Sequence, residues 1–245
     1  VVRFRQRPTG TPSPALPTMA ASTVIFGAES DTGYRLAQLA LRHGRPVLGV
    51  VRREGEAAPL VRLGAATVVA DVTRRSSVDA VFAGRDGPAL TVVCFIGGTP
   101  QLNSQGNINV IEAAEAAGVR RFILTTSIGC GDSAGVLDPF VKAFAGKSIR
   151  AKDWAEKRLR ATRMEWTIIR SGGMTMRPGR GGPILVESNQ VVGYINRLDL
   201  GDLAWEVLAS DRSGHRVFAA VDRGKAVHVN GEPLVPADLG PRPRG

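Results

Sequence analysis

The segment Gly27-Ala28-Glu29-Ser30-Asp31-Thr32-Gly33 has the residue types and spacing to hold a phosphate. It follows a β-branched apolar run, 23–26, and opens a helix-periodic stretch, 32–43. In that context a helix N-terminus offers unpaired N–H groups and the positive end of its dipole to a pyrophosphate. Gly27 permits the tight turn, and Gly33 permits close packing of helix on strand. Position 30 is serine where a third glycine would admit the closest backbone approach, although its hydroxyl can still donate a hydrogen bond. Glu29 and Asp31 put negative charge beside the same place, which is tolerable only if they point away. Ala28 and Thr32 complete the candidate phosphate loop.

A second strand, 47–51, ends in Arg52-Arg53. An NAD site would carry a ribose-binding acid roughly 20 residues after the glycine turn. Here Glu54 comes only after the two arginines. Guanidinium groups pair with a 2′-phosphate through charge-assisted hydrogen bonds, so this spacing favours NADP(H) over NAD. The alternative is a solvated pair of surface arginines. Asp71-Val72, after the third strand, is placed to border an adenine ring. Gly97-Gly98, after the fourth, would let a cofactor lie against the backbone.

Metal and thiol chemistry are poorly supplied. His43, His215 and His228 lie far apart with no ligand spacing, and Cys94 and Cys130 form no CxxC pair. Both cysteines read as small buried hydrophobes, and a reducing compartment follows.

The elements that must position these residues alternate along the chain. Apolar β-branched runs occur at 23–26, 47–51, 67–70, 90–96, 122–126, 166–169 and 217–221. Helix-periodic stretches lie between them at 32–43, 57–63, 76–82, 103–117, 149–162 and 200–210. Continuous apolar strands separated by amphipathic helices predict an α/β fold: a single doubly wound parallel sheet of Rossmann type, about seven strands, with helices on both faces. The domain is expected to span 23–221. With 245 residues and a mean hydropathy near zero, the chain can bury a core without disulfide or metal. No apolar run approaches the ~18–20 residues of a transmembrane helix.

Residues 1–22 hold Arg3, Arg5, Arg7, four prolines and no acid. They resemble the end of an organelle transit peptide, which would place the protein in a plastid or mitochondrion. An over-long gene product with Met19 as its true start, and a cytoplasmic protein, is the alternative. The tail, 222–245, is rich in proline and arginine, and little helix or sheet is expected there.

Several motifs beyond the glycine turn resemble the atypical, NAD(P)-binding branch of the short-chain dehydrogenase/reductase superfamily, which includes NmrA-like proteins and biliverdin/flavin reductases. They are Asn107-Ile108-Asn109-Val110-Ile111-Glu112-Ala113-Ala114, Gly118-Val119-Arg120-Arg121-Phe122, Thr125-Thr126-Ser127-Ile128-Gly129, Lys152-Asp153-Trp154-Ala155-Glu156 and Trp166-Thr167-Ile168-Ile169-Arg170. The resemblance implies that Ser127 orients a substrate carbonyl and that Lys152 bonds the nicotinamide ribose. On residue type alone, Ser127 is a strand-end hydroxyl and Lys152 one more cation of a basic helix. The family's active-site tyrosine, four residues before the lysine, is Ser148 here, a far weaker acid than tyrosine, whose pKa is ~10. The family's proline after Arg170 is Ser171. Substrate is expected over the strand C-termini, between segments 129–147 and 172–190.

The net charge of +10 and pI of about 10.7 favour an acidic or phosphate-bearing partner. Between Lys142 and Arg163 stand eight Lys/Arg and two acids, with Phe144 and Trp154 interleaved. An acidic protein partner, a membrane surface or a solvated helix fits this run. Nucleic acid is disfavoured by the 5% aromatic content and the missing RNA-binding signatures. Two functions follow. One is an NADPH-dependent reductase of a small conjugated or aromatic acceptor. The other is a non-catalytic nucleotide-binding subunit or assembly factor of an organellar complex.

Overall fold

The computed structural model describes residues 22–241; the basic leader lies outside the described residues except for Ser22. The chain begins with β1 (Ser22–Phe26), α1 (Asp31–Arg42), β2 (Val47–Val51), α2 (Ala58–Arg62) and β3 (Ala66–Val69). It continues through α3 (Arg75–Phe82), β4 (Leu90–Cys94), α4 (Asn107–Ala116), β5 (Arg121–Ser127) and the long α5 (Pro139–Arg160). β6 (Glu165–Ser171) precedes three short strands, β7 (Gly173–Thr175), β8 (Pro183–Val186) and β9 (Val191–Asn196). α6 (Arg197–Ala209), β10 (Arg216–Asp222) and β11 (Ala226–His228) complete the order.

The main sheet has eight strands in the order β3-β2-β1-β4-β5-β6-β10-β8. The seven runs expected from sequence are its seven parallel strands, and β8 adds an antiparallel edge against β10. Side chains alternate along β1: Val24 and Phe26 face a core beneath α3, α4 and α5, while Ile25 faces a second core beneath α1 and α6. Two buried faces explain why the strands read as unbroken apolar runs. Full burial of side chains such as Phe26, Phe122 and Phe218 contributes about 1.5–3 kcal/mol each.

Strand order reverses at β1: the chain moves outward to β2 and β3, then returns to place β4 on the other side of β1. Such a switch point opens a crevice at the strand C-termini, where open α/β sheets bind ligands.

Three features depart from expectation. α5 starts at Pro139, ten residues before the expected 149, because Asp138 caps it, its Oδ1 accepting from the Phe140 N–H at 2.7 Å, with Pro139 in the first turn. The segment 172–190 is not all loop, since it contains β7 and β8. The tail carries β11, which joins β9 and β7 in a small second sheet, and the Ala237 N–H donates to the Leu185 carbonyl at 2.8 Å.

Candidate functional site

The turn after β1 is built as its residues require. Gly27 sits at φ +76°, where an added Cβ would meet the Phe95 backbone at 3.3 Å. A Cβ on Gly33 would come within 2.3 Å of the Gly27 carbonyl oxygen, so α1 packs on the turn only because position 33 has no side chain. Ser30 is the N-cap of α1. Its Oγ accepts from the Gly33 N–H at 3.1 Å and donates to the Gly27 carbonyl at 2.7 Å. The hydroxyl expected to reach a phosphate is therefore committed to the turn itself. Thr32 is buried and its hydroxyl donates to the Arg197 carbonyl at 3.0 Å, tying α1 to α6. What remains for an anion is backbone: the Asp31 and Thr32 N–H groups, at the first two helical positions, have no acceptor inside the helix. Asp31 is exposed, and Ala28 is fully buried under β2.

A cavity of about 530 Å³ opens beside this turn at the strand switch, between the ends of β1, β2 and β4. Gly27, Ser30, Arg52, Val72 and Gly97 all line it, so the fold gathers the residues of the glycine turn, second strand, third strand and fourth strand at one place. Arg52 does not stand free there. Its Nε lies 3.2 Å from Glu29 Oε1 and its Nη2 lies 3.5 Å from Glu56 Oε1. Arg53 is exposed. Glu29 thus points at the arginine, not away from the site. Burial pushes its carboxyl above the usual carboxylate range, against the opposing pull of its own backbone N–H and of Arg52.

Asp71 caps its own loop. Its Oδ1 accepts from the Thr73 N–H at 3.0 Å and hydroxyl at 2.6 Å, and these bonds hold its pKa below the usual value. Val72 is buried, and its carbonyl accepts from Asn109 Nδ2 at 2.8 Å. Gly97 and Gly98 are exposed, and the Gly98 carbonyl accepts from Asn103 Nδ2 at 3.2 Å.

At the neighbouring strand end, Ser127 is the last residue of β5, and its carbonyl accepts from the Cys130 N–H at 3.1 Å. That turn packs on α5: Cys130 Sγ donates to the Ile149 carbonyl at 3.5 Å, and its thiol lies within electrostatic reach of Lys152. Desolvation lowers the Lys152 pKa, and the residue is half-buried. Burial likewise pushes the thiols of Cys94 and Cys130 up to about 12. Ser148, one helical turn before Lys152, accepts from Asn103 Nδ2, while Asn103 Oδ1 is buried without a partner.

Two features carried no sequence signal that was read as functional. The helix expected at 103–117 begins with a π-helical turn, Leu102–Gly106, whose wider winding is sustained by Asn107. The Asn107 side chain donates to the carbonyls of Leu102 at 3.2 Å and Asn103 at 3.1 Å. The second is a buried ion cluster under the 129–137 segment. Arg170 donates to both oxygens of Glu156, at 3.1 and 2.7 Å, and also pairs with Asp132, while the Thr126 hydroxyl donates to Glu156 at 2.6 Å. Both partners were visible as motif residues, but their pairing was not.

The profile of the NAD(P)H-binding family matches residues 27–211, most of the chain. The chain belongs to this NAD(P)H-binding family. The solved structure of ChuY, an anaerobillin reductase from Escherichia coli O157:H7, superposes with a TM-score of 0.75 at 28% identity, over 82% of this chain and 97% of that one. An uncharacterised chloroplastic protein of Arabidopsis thaliana is 28% identical over 218 residues, covering 82% of this chain and 77% of that protein. The chloroplastic protein TIC 62 of Oryza sativa subsp. japonica is 27% identical over 234 residues, but the match covers only 44% of its length. As an NAD(P)H-binding chain with an eight-stranded Rossmann-type sheet, it fits the atypical branch of the short-chain dehydrogenase/reductase superfamily. Among the described residues, no helix is long and apolar enough to cross a membrane, and no group of three metal-ligating side chains is assembled.

Proposed function

We propose that this NAD(P)H-binding protein is an NADPH-dependent reductase of a small conjugated or aromatic acceptor, such as a flavin, quinone or tetrapyrrole-like molecule. The observation that carries this reading is the cavity at the strand switch, lined by Gly27, Ser30, Arg52, Val72 and Gly97, with half-buried Lys152 on α5 against the neighbouring turn that ends β5. A partly desolvated ammonium gains from hydroxyl acceptors, which a cofactor ribose would supply. The likeness to ChuY supports reduction as the chemistry.

The cofactor, when bound, supplies a hydride. The Asp31 and Thr32 N–H groups would hold its pyrophosphate, the cavity walls at Val72 and Gly97 would border its adenosine, and Arg52 with Arg53 would favour a 2′-phosphate. Ser127 orients the acceptor. The family's tyrosine position is Ser148, whose hydroxyl accepts from Asn103 and is a far weaker acid than a phenol. The proton that balances the hydride therefore comes from water or from the acceptor's own acidic groups. Lys152→Ala should lower NADPH turnover at least tenfold when cofactor oxidation is followed spectrophotometrically across a panel of flavins, quinones and linear tetrapyrroles. Unchanged kinetics would remove Lys152 from the mechanism.

A second reading is favoured by Ser148 in place of the family's tyrosine and by the exposed cations of α5: a non-catalytic, nucleotide-bound subunit or assembly factor of an organellar complex, with the likeness to chloroplastic proteins supporting a plastid. The exposed cations Lys142, Lys147 and Arg150 would face an acidic partner. Migration in native extract as a free chain or small homo-oligomer argues against this reading.

A further inference from the structure

The adenosine end of the cleft holds a charge arrangement that the cofactor preference alone does not explain. Among the described residues Arg52 is the one guanidinium lining the cavity, and Glu29 and Glu56 hold it from both sides. Two carboxylates outnumber the one cation they hold. Each spends one oxygen on Arg52, and the other oxygen, Oε2 in both residues, is buried with no hydrogen-bond partner. Such oxygens lack a donor. A ribose hydroxyl brings a donor, whereas a 2′-phosphate brings about two further negative charges and only acceptors.

We infer that Glu29 and Glu56 act as a clamp that sets cofactor discrimination, holding Arg52 away from the 2′-phosphate so that NADPH gains its contact only by breaking the clamp. The inference rests on the cofactor reading above and deepens it: the two arginines favour NADPH, and the two glutamates narrow that preference. Burial raises the Glu29 carboxyl, in keeping with a carboxylate that its surroundings under-satisfy.

The test compares the full chain with E29Q, E56Q and the double variant, each titrated calorimetrically with NADPH and with NADH. Glutamine keeps shape and removes charge. Removing two carboxylates beside a phosphate should tighten NADPH by about tenfold or more in the double variant, with NADH unchanged or weaker. Each single variant should move the ratio in the same direction, so the result does not depend on one substitution folding well. Adding R52A to the double variant should abolish the gain. Binding of both dinucleotides with an unchanged ratio in every variant overturns the clamp and leaves the cofactor reading standing. No binding of either dinucleotide by any form overturns the cofactor reading and the clamp with it.

Discussion

The pKa values of two cations, Arg170 and Lys152, move in opposite directions on one scaffold. Arg170 is 4% exposed and forks onto Glu156, itself 2% exposed, with Thr126 satisfying a further lone pair. Desolvation alone would lower its pKa, but hydrogen bonds and charge from Glu156 and Asp132 outweigh burial and raise it. The pair fixes the 129–137 segment beside Ser127. Replacing Arg170 by Met leaves Glu156 charged and unpaired, so urea unfolding should show a loss of roughly 3–5 kcal/mol. A loss below about 1 kcal/mol would mean the cluster is not what holds the segment. Lys152, half-buried, has its pKa lowered by desolvation. Its removal should therefore cost little stability, so the expected loss of turnover in Lys152→Ala is accompanied by an unchanged or slightly raised melting temperature. A catalytic loss that merely tracks unfolding would contradict that assignment.

At the scale of elements, the glycine turn works through its helix. Ser30 caps the Gly33 N–H of α1, and the Asp31 and Thr32 N–H groups before it have no acceptor inside the helix. Ser30→Ala should cost about 1 kcal/mol in equilibrium unfolding, and a cost near zero would show that the cap is not contributing. The parallel strands and α1 were legible because burial on both faces leaves no polar alternation, and because strand, glycine turn and helix follow in order. The N-terminal ten residues of α5 were missed although Asp138-Pro139 is a helix-start signal, because Gly146 and the basic run 142–150 interrupt the apolar period. β7, β8 and β11 were missed because they are three or four residues long and lie among Gly, Pro and Arg, where periodicity has no length in which to show, and the six-residue β9 because Gly193 breaks its apolar run. The site was half legible. Its glycines and arginines sit in contiguous motifs, whereas the Glu29–Arg52 pair and the Thr126–Glu156–Arg170 cluster join separate segments of the chain.

For the whole molecule, the excess positive charge is less concentrated than the sequence of α5 suggests. Arg158 pairs with Glu112 and Glu115, Lys157 with Asp153, and Arg160 stacks over Trp166 at 4.7 Å. The helix's free cations are thus reduced to a few near its start, beside the exposed Phe140 and Phe144. The stronger organising feature is the strand switch between β1 and β4, which places a 530 Å³ cavity at the mouth of the glycine turn. The most direct test of the whole account is calorimetric titration of the chain with NADPH and NADH, repeated on the Arg52→Ala/Arg53→Ala double variant. The account predicts saturable binding of NADPH at one site per chain, weakened in the double variant while NADH is little changed. No binding of either dinucleotide by the unaltered chain would contradict it.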